Sequence, residues 1–166
     1  MTDWLKRYLD YLVYPAVVAW CAWHDRESLG LGWAVMFLVG WLVWTCVEYW
    51  SHRLAHEGVP NEVHDNHHVR PREVALFPLW YTPAYLLGLF VVFYLVAGPW
   101  WPPLLAGTTF GFLAFIFLHW AVHHRRDWFP ALAERHRAHH RLGTVYYGVT
   151  TQLWDRLFLT VPPQLL

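Results

Sequence analysis

"VALFPLWYTPAYLLGLFVVFYLVAGPWWPPLLAGTTFGFLAFIFL", residues 74–118, contains no Asp, Glu, Lys, Arg or His. A helix crosses the hydrocarbon core of a bilayer in roughly 20 residues, so this run is long enough for two crossings rather than one. Near its middle, "GPWWPP" (residues 98–103) reads as a tight turn at a membrane surface. Working outward, Leu29 to Val47 is a second uncharged stretch, and Tyr11 to Trp23 a weaker one, kinked or interrupted at Pro15. The last of these starts after Asp10 and lacks a small-residue cleavage site, which argues against a signal peptide. Overall 57% of residues are hydrophobic and 14% charged, too apolar a balance for an ordinary soluble domain. The expected fold is all-α: an integral membrane four-helix bundle, a single domain over residues 1–166.

Charge sets the orientation. With four crossings, residues 1–10, 51–73 and 119–166 share one side of the membrane. Of the twelve Lys and Arg only Arg26 lies opposite. The excess of positive charge predicts that this side, with both termini, is cytoplasmic. A net charge of zero and the lack of a basic stripe give no reason to expect nucleic acid. Cys21 and Cys46 sit in apolar segments and read as reduced packing residues.

Histidine is concentrated on that same side. The chain has twelve, and all but His24 fall into four clusters: His52 and His56; His64, His67 and His68; His119, His123 and His124; His136, His139 and His140. The chain reads as two similar halves. In each, a membrane helix emerges carrying a pair at i and i+4, "EYWSHRLAHEG" (residues 48–58) and then "LHWAVHH" (residues 118–124). Each pair shares one helix face about a turn apart. A short polar helix follows with H-x-x-H-H, "HDNHH" (residues 64–68) and "HRAHH" (residues 136–140), so each can aim three imidazoles at one point. Pro60 and Pro130 are placed to start these short helices, Pro71 and Gly143 to stop them, and Gly58 to cap the helix before the first.

Imidazole is mostly neutral at pH 7, so lipid headgroups do not account for such clusters. A metal does, since imidazole suits zinc, copper, iron and nickel. About ten donors exceed the needs of one ion. Shared between two they leave open positions, whereas structural zinc sites are closed and four-coordinate. A reactive dinuclear centre is the expectation. His124 is surplus, roughly 100° round the helix from His123, and His24 reads as an ordinary surface or hydrogen-bonded residue.

The order H-x3-H, H-x2-H-H, H-x3-H-H, H-x2-H-H resembles the fatty acid hydroxylase and sterol desaturase superfamily of membrane di-iron enzymes. "YYGVTTQLWDRLFLT" (residues 146–160) is similar to that family's closing segment, so the resemblance runs from Glu48 to Thr160. Within the family the pattern is most like the fatty acid and sphingolipid 2-hydroxylases. The resemblance implies His52, His56, His64, His67, His68, His119, His123, His136, His139 and His140 as ligands of two iron ions, which zinc can replace on purification. It implies dioxygen as co-substrate, a membrane lipid or fatty-acyl substrate and an external electron donor. Asp155 is the candidate to orient a ligand from behind, because ligating imidazoles usually donate their other N–H to a carboxylate or carbonyl; a salt bridge with Arg156 or another arginine is the alternative. There are departures: the first box has three intervening residues where those enzymes often have four, and Leu159 stands where the family usually has glycine. No His-Pro-Gly-Gly signature of a cytochrome b5 domain is present, so electrons are expected from a separate protein.

Two rival readings share the metal site, a carotenoid hydroxylase and a lipid or sterol desaturase. A metal transporter belongs to another class and would place its ligands near the bilayer midplane, whereas these clusters lie at one edge.

Overall fold

The computed structural model describes residues 2–73 and 78–162, with side chains from Tyr8 onward. Every regular element among them is helical: α1 (Thr2–His24), α2 (Leu31–His56), α3 (Glu62–Val69), α4 (Tyr81–Ala97), α5 (Trp101–His124), α6 (Pro130–Leu142) and α7 (Leu153–Leu157). The α1 helix continues past Pro15 without interruption, giving up only the hydrogen bond that proline cannot donate. "GPW" forms a 3₁₀ turn, Gly98–Trp100, that leads straight into α5, and Pro102 and Pro103 occupy that helix's first turn, where a missing N–H costs nothing.

Two helical stretches, Leu31–His56 and Tyr81–His124, are long and apolar enough to cross a membrane; the second contains α4, the 3₁₀ turn and α5. Many of their large apolar side chains point outward. On α4, Leu87, Val92, Leu95 and Val96 are exposed, the last two at 74% and 82%. A soluble core helix would bury them, so an apolar surface of this kind calls for lipid or another apolar partner.

The chain forms two compact units, residues 1–44 with 76–113 and residues 45–75 with 114–166. In the first, α2 and α5 approach closely because small residues line the contact. A Cβ on Gly40 would lie within 3.0 Å of the Leu104 backbone, one on Gly107 within 3 Å of the Phe37 carbonyl, and one on Gly111 against the Trp44 ring. Thr108 donates its hydroxyl to the Gly40 carbonyl at 2.9 Å, which a larger residue at 40 would push away. Cys21 is buried with Trp101, Leu105 and Ala106, and both cysteines are free thiols, with Cys46 only half-buried.

The second unit holds the ends of α2 and α5 and the elements α3, α6 and α7. The α2 helix ends on Gly58 (φ +103°), with the Val59 N–H bonded to the Leu54 carbonyl at 3.0 Å, a left-handed stop that glycine adopts without strain. The α3 helix begins after Pro60, not at it. Asn61 caps the helix by accepting the His64 N–H at 3.1 Å, and a side-chain acceptor outweighs the merely pre-set φ of proline. Pro130 does open α6, and Gly143 (φ +70°) closes it.

Candidate metal centre

The second unit gathers the histidines into two groups of five. His52, His56, His64, His68 and His139 form one; His67, His119, His123, His136 and His140 form the other. Within each, the ligand nitrogens all lie within 4.8 Å of one another. Helix geometry explains the division. Residues i and i+4 lie about 40° apart around the axis, but i+3 and i+4 lie about 100° apart. An H-x-x-H-H helix therefore faces two points, not one. The α3 helix sends His64 and His68 to the first group and His67 to the second. The α6 helix does the reverse, with His136 and His140 to the second and His139 to the first. With one i, i+4 pair from α2 and one from α5, each group is two pairs and a single ring, and the two halves of the chain exchange roles.

The ring nitrogens meet in a way that hydrogen bonding alone cannot satisfy. His136 Nε2 lies 3.1 Å from His119 Nε2, 2.9 Å from His123 Nε2 and 3.0 Å from His140 Nε2, yet a nitrogen carries at most one hydrogen. His139 is more definite. Its Nδ1 donates to the Val145 carbonyl at 2.8 Å, so in the neutral ring Nε2 is a bare lone pair, facing His56 Nε2 at 3.1 Å and His68 Nε2 at 3.2 Å. The rings are neutral: burial pushes His139 down to about 3, His68 to about 2, and His67 and His140 to about 4. Burial lowers His64 and His136 too. Neutral nitrogens with converging lone pairs fit a divalent cation in each group. A cavity of about 150 Å³ adjoins the second group, lined by His68, His123, His136, His140, Arg126 and Arg137 among others. It is large enough for water or a diatomic gas.

His124 belongs to neither group; its Nδ1 meets the Trp120 carbonyl at 2.9 Å and its ring stacks on the Trp120 indole. His24, the last residue of α1, packs against Trp20 and Trp101. Asp155 is fully buried but bonds no histidine and no arginine among the described hydrogen bonds and ion pairs; Arg156 turns instead to the Gln152 side chain at 3.4 Å. Its carboxylate accepts the Tyr147 N–H at 2.8 Å, the Gly148 N–H at 3.0 Å and the Thr160 hydroxyl at 2.7 Å. Burial raises its pKa, and those three donors oppose the rise. Sequence reasoning passed over Glu48. This α2 carboxylate, 4% exposed, accepts the Val149 N–H at 2.5 Å, the Thr150 N–H at 2.9 Å and the Thr150 hydroxyl at 2.5 Å. A carboxylate directly after the uncharged run of residues 29–47 was the available signal, because a charge at the end of an apolar segment is costly unless it is used.

A fatty acid hydroxylase family model matches residues 37–160. The chain belongs to the fatty acid hydroxylase family. It is 32% identical to the dihydroceramide fatty acyl 2-hydroxylase FAH2 of Arabidopsis thaliana, over 74% of this chain and 59% of that protein. It is 28% identical to the fatty acid 2-hydroxylase of Rattus norvegicus, over 83% of this chain and 41% of that one. The chain thus spans about two fifths to three fifths of these relatives' length. Among solved structures, full-length scs7p, with only its hydroxylase domain visible, shares the fold: the TM-score is 0.80 at 22% identity, over 95% of this chain and 67% of that one.

Proposed function

We propose that this chain is a membrane-bound, oxygen-dependent hydroxylase of a lipid acyl chain, acting through two iron ions. The observation that carries the reading is the five-and-five division of neutral imidazoles. His52, His56, His64, His68 and His139 would hold one ion and His67, His119, His123, His136 and His140 the other. Iron would supply the oxygen-activating redox chemistry that attack on an unactivated C–H bond requires, since such a carbon has no acidic proton for a base to take. One oxygen atom enters the C–H bond and the other leaves as water, which consumes two electrons and two protons from outside. A separate electron-transfer protein is the proposed source. Zinc binds imidazole at least as well as ferrous iron, so a zinc-filled form would keep the ligands and lose the reaction.

The 166 residues are read as one hydroxylase domain with four crossings and a cytoplasmic metal centre. The outward-facing apolar residues of α2 and α4 support a lipid setting, from which an acyl tail would reach the site. The 2-hydroxylase names of the relatives favour the carbon next to the carbonyl as the target. The test is to express the chain in a bacterial host with a reductase system and compare lipid extracts by mass spectrometry with those of the His139→Ala variant. A gain of sixteen mass units on an acyl chain is expected in the wild type alone. A loss of two units would make it a desaturase, and no change from iron-loaded protein would remove the hydroxylase reading.

A further inference from the structure

The two groups of imidazoles repeat one design, but their surroundings do not. After α6 the chain runs through residues 143–150 as a strap with no regular structure. Two carbonyls of this strap take the outward N–H of two rings: Val145 from His139 at 2.8 Å and Tyr147 from His52 at 2.7 Å. Both rings belong to the first group. The second group has no such carbonyl clamp among the described hydrogen bonds; a buried ring nitrogen without a hydrogen-bond partner occurs in both groups, at His64 in the first and His136 in the second. The strap is in turn held by two buried carboxylates. Asp155 takes the N–H groups of residues 147 and 148, and Glu48 those of residues 149 and 150 together with the Thr150 hydroxyl. Four successive backbone N–H groups thus end on two side chains.

We infer that Glu48 and Asp155 are positioning residues for the first metal ion alone: by fixing the strap they aim the Tyr147 and Val145 carbonyls that set the tautomer and tilt of His52 and His139. The inference rests on the dimetal reading above. A ligating imidazole bound through Nε2 needs Nδ1–H directed at an acceptor, and removing such an outer partner typically costs 10–100-fold in metal affinity. Here the carboxylates act one step further out, so a loss near the lower end, about tenfold, is expected. The two ions are consequently unequal, because only the first is held in part by rings that the strap presets.

The bonding pattern distinguishes acceptor geometry from charge. Glu48→Gln can keep all three bonds: its amide oxygen accepts both N–H groups, and its NH₂ donates to the Thr150 hydroxyl oxygen. Asp155→Asn cannot, because both carboxylate oxygens receive a backbone N–H and an NH₂ would oppose one of them. The experiment measures zinc affinity of the full chain in detergent by competition with a chromogenic chelator. The His123→Ala background leaves the first ion to be read, and His68→Ala the second. Glu48→Leu and, as the smaller change, Asp155→Asn should each weaken zinc about tenfold in the first background and by less than twofold in the second. Glu48→Gln should change neither. Equal weakening in both backgrounds, no weakening in the first, or Glu48→Gln behaving like Glu48→Leu would overturn the inference. A wild-type chain that binds no zinc at all would overturn the dimetal reading, and this inference with it.

Discussion

Leu159 shows how a single residue can carry a backbone cost in plain view. It is 79% exposed and has φ +57°, in the left-handed region that a Cβ makes unfavourable by roughly 1–2 kcal/mol. The resemblance places glycine at this position, and the backbone supplies the reason. Because little packing is lost, Leu159→Gly should stabilise the protein by about 1 kcal/mol, offset in part by the greater freedom of glycine when unfolded. A rise in the thermal midpoint in detergent is the check, and an unchanged or lower midpoint would mean the side chain packs on something else. The histidines make a second contrast at this scale. His139→Ala removes a buried ring shared by the first group and should lose about one metal equivalent and all hydroxylation. His124→Ala and His24→Ala should keep both ions, since neither ring reaches a group. Elemental analysis of the three variants decides this, and loss of a full equivalent from His124→Ala would contradict the assignment.

At the scale of the element, the division of each H-x-x-H-H helix between two groups follows from the 100° step of the α-helix. The i, i+4 pairing of His52 with His56 and of His119 with His123 was readable from spacing alone. That His67 parts from His68, and His139 from His140, was not. Three residues on one broad face are compatible with one target or two, and only the packed neighbours decide. The contact of α2 with α5 depends instead on glycine. A methyl on Gly107 meets the Phe37 carbonyl, which is backbone and cannot swing away. Gly107→Ala should therefore cost about 3 kcal/mol, the upper range for overpacking, measured by denaturant unfolding in mixed micelles. A cost below about 0.5 kcal/mol would show that the helices part easily.

For the whole molecule, the sign of the histidine shifts fixes a pH dependence. In the metal-free protein the folded imidazoles of His64, His67, His68, His136, His139 and His140 resist protonation. The unfolded chain takes up protons near pH 6.5, so stability is complete above that value and falls as the pH drops toward about 4, where His67 and His140 titrate in the folded chain. Each ring that titrates only when unfolded contributes a slope of about 1.4 kcal/mol per pH unit. Acid titration followed by tryptophan fluorescence should show the metal-free form unfolding at a higher pH than the zinc-loaded form, and coincident curves would argue against occupied sites. The orientation is a proposal of the same scale. Cysteines introduced at positions 65 and 135 should label only from the cytoplasmic side, and labelling from outside would invert the topology.

The sequence by itself determined the family, the concentration of histidine and the apolar helices. Uncharged runs longer than a bilayer crossing, histidines at helical spacing and the bias of positive charge are local or compositional properties that survive without coordinates. The same spacing decided that His124 stands apart from His123. Tertiary structure alone decided which five rings share a point, because convergence joins residues up to 87 positions apart, from His52 to His139. It also decided what lies behind them. Asp155 looked like a direct partner of a ligand and instead holds a strap, and Glu48 gave no motif at all. Both act through backbone N–H groups, which every residue but proline carries, so no pattern of side chains announces them. Their role exists only once the strap has folded against α2.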